Sequence, residues 1–249
     1  MFQNAGALSA MKEYASKITQ RLPMMASVLV GVLPCFILIK WFGVPRRLVV
    51  GFGILAYILG VTAIKMPVYH FVVVKFLHQR LSNIWLAIAQ GILSAVAELG
   101  AAFIFFLFVV PKLTFIQLIG FGAAAGAVEA IMLPFIKPFK GTPLEEHATA
   151  VNERAASKNL IEWLGVLERM LAYLPHIGAR GLVYVGVAAQ NVLPILIAVA
   201  TFAAIDGRAY YAHLQKWAFD DPRVLGRFYL YFGAVGCLQM ICFLLFYFT

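Results

Sequence analysis

Of the 249 residues, 63% are hydrophobic and 12% charged, with a mean hydropathy of +0.88. A soluble domain carries roughly 25% charged residues, so this composition excludes a water-soluble globular protein and indicates an integral membrane protein. The formal charge of +9 does not point to nucleic acid, because the basic residues stand mainly in short segments between apolar runs and no basic patch with interleaved aromatics lies outside them.

In chain order, residues 1–22 place Lys12, Lys17 and Arg21 before an apolar run that is long and lacks a small-residue cleavage site, which predicts a cytoplasmic N-terminal segment and an uncleaved first span. Runs long enough to cross about 30 Å of hydrocarbon follow at Pro23–Phe42, Leu48–Phe71, Ile84–Val110, Thr114–Ile136, Trp163–Ala188, Val192–Ala212 and Leu225–Phe248. The expectation is therefore an all-α polytopic helix bundle of about seven transmembrane helices, with residues 1–249 forming a single membrane domain. The substantial polar segment, Lys137 to Asn159, contains Thr142, Pro143 and Glu145 in an N-cap, first-turn and capping-box arrangement, which predicts a short cytoplasmic surface helix. Cys35, Cys237 and Cys242 all fall in apolar runs without C-x-x-C or Cys/His spacing, so neither a disulfide framework nor a zinc finger is supported.

The fourth run is rich in small residues. Gly122 and Gly126 form a G-x-x-x-G step flanked by alanines, a pattern that lets another helix backbone approach closely. Glu129 lies on nearly the same face as Gly122 at about 100° per residue, so its carboxylate is expected to face a packed helix. Pro67, Pro175 and Pro194 are expected to interrupt the hydrogen-bond ladders of their helices.

Ionisable residues inside spanning helices are costly and are functional candidates by default. Counting from the helix ends puts Glu98 and His176 near the midplane and Lys65, Glu129, Glu168, Arg169 and Asp206 in the cytoplasmic half. Arg169, His176 and Arg180 share one helical stripe, and Asp206, Tyr210 and His213 repeat that spacing. Lys65, Glu98, Glu129, Glu168, Arg169, His176, Arg180 and Asp206 are thus the candidate intramembrane polar cluster. They either pair as ions to hold the bundle or line a polar cavity able to bind metal, protons or a solute.

The ordered segments SAVAELGAAF, GFGAAAGAVEAI, LERMLAYLPHIGARGLVY and ATFAAIDGRAYY, within about Leu86 to Ala212, resemble the YhfC-type membrane peptidases, kin of the CAAX-protease and PrsW-like intramembrane enzymes. The resemblance carries Glu98, Glu129, Glu168, Arg169, His176 and Asp206 over to the family's site. It also marks departures: Ala97, Ala101, Ala125 and Phe202 stand where the family has an acid, an arginine and two histidines. A hydrolytic metal site wants about three N or O ligands and an open position, so the resemblance implies a peptidase-like fold with a degenerate site, holding no metal or other cofactor. G-x-S-x-G, H-E-x-x-H and the Walker A pattern are absent.

The function expected from these features is that of a non-catalytic pseudoprotease, acting as a binding, scaffolding or accessory subunit of a membrane complex. Its expected partners are the lipid bilayer and other membrane chains or a second copy, not nucleic acid. The crowded aromatics between Tyr229 and Phe248 offer a surface for partner helices, pigments or lipids. An intramembrane metalloprotease with an atypical site and a small-solute or proton-coupled transporter are the alternatives; the missing internal repeat speaks against the transporter.

Lys12, Lys17, Arg21, Lys75, Arg80, Lys137, Lys140, Arg154, Lys158, Lys216, Arg223 and Arg227 fall on one side of the predicted spans, against Arg46, Arg47 and Lys112 on the other. The positive-inside rule then puts the N-terminus in the cytoplasm of an inner or plasma membrane and Thr249 on the opposite side. Reporter fusions at residue 10 and after Thr249 should report different compartments; the same compartment for both would mean that the span count is wrong.

Overall fold

Lipid offers a backbone no hydrogen-bond partner, so long apolar runs must satisfy their own amides and fold as helices. The computed structural model describes residues 22, 25–40, 47–108, 112–132, 145–146, 149–150 and 159–249. Its long helices are α1 (Met25–Lys40), α2 (Leu48–Leu77), α3 (Asn83–Phe108), α4 (Phe115–Met132), α5 (Asn159–Ala188), α6 (Val192–Leu214) and α7 (Pro222–Phe248), and no strand occurs among the described residues. Five of these, α2, α3, α4, α6 and α7, are long and apolar enough to cross a membrane. Outward-facing Trp85, Phe108, Leu230 and Phe248 are 60–78% exposed, part of an apolar coat far larger than water tolerates on a soluble protein. The chain is an all-α membrane helix bundle.

At the centre stands α5, which packs against α3, α4, α6 and α7. From Ala172 to Gly186 none of its residues is exposed. Its charged residues and Pro175 make it less apolar than its neighbours, and it can hold them because protein, not lipid, surrounds this part of it. Around it α6 lies along α3, α7 along α5, and α2 along α4.

Small residues set how near these helices come. A Cβ on Gly122 would lie 2.6 Å from Ile177 Cα and 2.9 Å from the His176 carbonyl oxygen, so only glycine permits the α4–α5 crossing. Gly60 does the same for α2 and α3, where a Cβ would lie 2.7 Å from the Ala97 carbonyl oxygen. Gly126, the other half of the expected glycine step, is different. A Cβ there would meet His176 Cδ2 at 3.4 Å and Tyr173 at 3.5 Å, close to ordinary contact. Ala123, Ala124 and Ala125 are fully buried as well, so the whole of this α4 segment is packed, not one stripe of it.

The second helix runs on past Phe71 to Leu77, beyond the expected end of that span. It contains two π-helical stretches, Leu59–Lys65 and Tyr69–Leu77, joined by the short α-helical piece Met66–Val68 that holds Pro67. The proline therefore sits at a change of hydrogen-bond pattern and does not end the helix. Pro175 lies inside α5, whereas Pro194 falls in the first turn of α6, where its missing amide interrupts no ladder. Gln190 and Lys216, both at φ 51°, make the left-handed turns that leave α5 and α6.

Residues 1–21, including Lys12, Lys17 and Arg21, lie outside the described residues, as does most of the predicted surface helix. Within that segment Glu145, Glu146, Thr149 and Ala150 are helical, and Glu146 Oε2 lies 3.8 Å from Lys216 Nζ at the surface. The C-terminal aromatics are only partly outward: Phe243 is fully buried, with its ring 5.8 Å from Phe115, and Tyr229 turns into the bundle.

Gly122→Ala should destabilise the bundle by about 1–3 kcal/mol through overpacking, and Gly126→Ala should cost much less. Unfolding of the two variants in detergent is the comparison; equal losses would contradict the crossing described for α4 and α5.

Candidate functional site

The α5 stripe predicted from spacing faces α3 and α4, and its residues meet the charges of the other helices. Arg169 Nη1 donates to Glu129 Oε1 at 2.8 Å, and Arg169 Nη2 donates to Glu168 Oε1. His176 Nε2 is 2.7 Å from Glu129 Oε2, and Arg180 Nη1 is 2.8 Å from His176 Nδ1. Arg180 Nη2 donates to Glu98 Oε2 at 3.3 Å, while Lys65 Nζ donates to Glu98 Oε1 at 2.9 Å and to Asp206 Oδ2 at 3.2 Å. All eight candidate residues therefore form one unbroken chain of contacts, called the circuit below although its two ends do not meet: Glu168, Arg169, Glu129, His176, Arg180, Glu98, Lys65, Asp206.

A guanidinium only donates hydrogen bonds. Its contact at His176 Nδ1 consequently makes that nitrogen an acceptor, leaves the ring proton on Nε2 and directs it at Glu129. His176 is the neutral link in a chain of otherwise alternating charge. Arg180 is 0% exposed and Glu98 2%, whereas the side chains of Lys65, Glu129, Asp206 and Glu168 are 20–35% exposed toward a cavity.

That cavity holds about 320 Å³ and lies among α2, α3, α4, α5, α6 and α7. Tyr57, Phe202, Tyr210 and Phe232 contribute aromatic wall, and Gln90 adds a polar group on α3. His213, expected on the Asp206 and Tyr210 stripe, does not line it; its ring packs edge-on against Phe219, 5.7 Å between centroids.

Several members were not singled out from the sequence. Ser94 lies between the Asp206 and Glu98 carboxylates, Tyr57 donates to Glu129 Oε2 at 3.4 Å, and Tyr229 donates to Glu168 Oε2 at 3.3 Å. Gln90, Ser94 and Glu98 are spaced by four on α3, and Tyr57 stands two such steps before Lys65, so helical spacing from the charged residues would have found Gln90, Ser94 and Tyr57. Nothing local marks Tyr229.

The positions that depart from the peptidase pattern are packing positions here. Ala97, Ala101 and Ala125 are buried, and Phe202 packs edge-on to His176 and lies with its ring centroid 6.0 Å from the Arg180 guanidinium carbon. Among the described residues no group of three or more His, Cys, Asp or Glu is placed to hold a metal ion. No protein-family model, curated protein or solved structure matches the chain.

Removing one partner of a buried ion pair strands the other charge and costs about 3–5 kcal/mol. Glu98→Gln leaves Arg180 without a carboxylate and Lys65 with Asp206 alone, and should fall in that range. Glu168→Gln, at the exposed end, should cost about 1 kcal/mol or less. Denaturant unfolding in mixed micelles gives the order, and a larger loss for the Glu168 variant would contradict the circuit.

Proposed function

We propose that this chain is a non-catalytic membrane protein that binds a small polar ligand in its charged intramembrane cavity and serves as a binding or accessory subunit beside other membrane chains. The observation that carries the reading is the unbroken chain of polar contacts from Glu168 to Asp206. Every acid lining the cavity, and His176 with them, is hydrogen-bonded to an arginine, lysine, tyrosine, serine or histidine of the same chain. A hydrolytic metal would need about three of those groups released and an open coordination position.

The resemblance to YhfC-type peptidases fits the same reading as a retired site. Where that pattern calls for ionisable groups, the chain has Ala97, Ala101, Ala125 and Phe202, which now fill space. Its apolar coat suits a bilayer and neighbouring membrane helices, with the N-terminus cytoplasmic and the C-terminus across the membrane.

Elemental analysis of the protein purified from native membrane is the test. Zinc well below one equivalent is expected, together with a co-purifying membrane chain in stoichiometric amount. Zinc near one equivalent that is lost in His176→Ala would overturn the non-catalytic reading and restore a metallopeptidase.

A further inference from the structure

A groove of about 520 Å³ opens on the outer face of the bundle between α3 and α6. Its floor is small side chains and backbone, Ala87, Ala203 and Gly207 among them; a Cβ on Gly207 would lie 2.9 Å from the Ala87 carbonyl oxygen. Ile84, Ile88 and Ile92, spaced by four along α3 and 43–56% exposed, form one rim. Along α6 the groove runs from Ala200 to Tyr211, about 16 Å at 1.5 Å per residue. Ala200 stands near the middle of Val192–Leu214 and Tyr211 near its end, so the groove spans one leaflet, half of about 30 Å of hydrocarbon.

Arg208 lines the groove toward the end of α6. Its guanidinium carbon lies 4.3 Å from the Tyr231 ring centroid and 5.2 Å from that of Trp217, in the segment that follows α6. The two rings hold the group at the end of the bundle but do not cancel its charge. Arg169 and Arg180 have carboxylates, whereas none pairs with Arg208 among the described residues. Nε of Arg208 is shut inside the protein without a partner; Nη1 and Nη2, equally unbonded among the described residues, are open to the outside. A fixed cation at the edge of the lipid calls for an anion, and the guanidinium fork matches the oxygens of a phosphate.

We infer that the groove holds a phospholipid of net negative charge, with its phosphate on the Arg208 Nη groups and one acyl chain along α3 and α6 as far as Ala200. A bilayer supplies both parts at the matching depth, a headgroup at the helix ends and a chain through one leaflet. An apolar helix laid in the groove would leave Arg208 without its anion. The site is separate from the polar cavity, and the inference does not depend on what that cavity binds.

The test follows Tm of the full chain in detergent as dioleoylphosphatidylglycerol is added, with dioleoylphosphatidylcholine and sodium phosphate as comparisons. A ligand that binds only the folded state raises Tm with its concentration. Phosphatidylglycerol should raise Tm in a saturable way, phosphatidylcholine should need about tenfold more lipid or more, and phosphate alone should do nothing. Arg208→Gln should abolish the preference for phosphatidylglycerol. Ala200→Leu, at an exposed position in the groove, blocks the path of the chain while the charge stays, and should raise the half-saturating concentration about tenfold. Lys216→Gln removes an exposed cation just beyond α6 and should leave the response unchanged. Equal responses to the two lipids, a response to phosphate alone, an unchanged response in Arg208→Gln or Ala200→Leu, or an equal loss in Lys216→Gln would overturn the site. A stable dimer abolished by Ala200→Leu would overturn it too, because a second copy would then fill the groove. Should Arg208→Gln not yield folded protein, Ala200→Leu against Lys216→Gln decides.

Discussion

Arg180 and Glu98 are wholly buried and 3.3 Å apart, and much of the bundle is arranged to keep them so. A guanidinium cannot discard its proton, so it must be surrounded by acceptors or not be there. Glu98 meets one side of it and the His176 ring another. Each of those partners then needs a partner of its own, and the requirement passes outward until it reaches groups that touch the cavity. The tight crossings at Gly60 and Gly122 follow from the same demand, because side chains from α2 and α4 reach this axis only if their backbones come close.

Much of this was legible in the chain. Hydropathy and length mark the helices, since a bilayer tolerates little else, and the cost of intramembrane charge singles out the eight residues that meet. Periodicity correctly put Glu129 on an inward face. What it could not supply is who stands opposite. That α5 occupies the centre contradicts the simplest use of hydropathy, by which the most apolar helix would be the innermost. Its charges are tolerable there because four other helices shield them. Gly122 and Gly126 look equivalent in the sequence and are not, because the α4–α5 crossing point falls at the first. Pro194 reads as a kink until the helix start is known, and the inward turn of Tyr229 depends on Glu168 arriving from a different helix.

The cavity combines two properties that usually part company. Its polar groups are mostly satisfied within the chain, which fixes their positions. Its walls are largely aromatic and aliphatic, which gives a guest something to lie against. Phe202 belongs to both descriptions, since the ring that excludes another ionisable group also covers His176 and Arg180.

The route of the circuit also bears on how the chain enters its membrane. Proteins are made from the N-terminus, and the partners here are drawn largely from helices close in order of synthesis. Lys65 on α2 meets Glu98 on the very next helix, and Glu129 on α4 meets Arg169 and His176 on the next after that. Arg180 reaches back to Glu98, already in place, and Asp206 alone is delivered late, to a lysine that has its first counter-charge. Few charges have long to wait in the insertion machinery or the lipid without a mate. The order in which the helices are written is thus also an order in which they can be safely released into the bilayer.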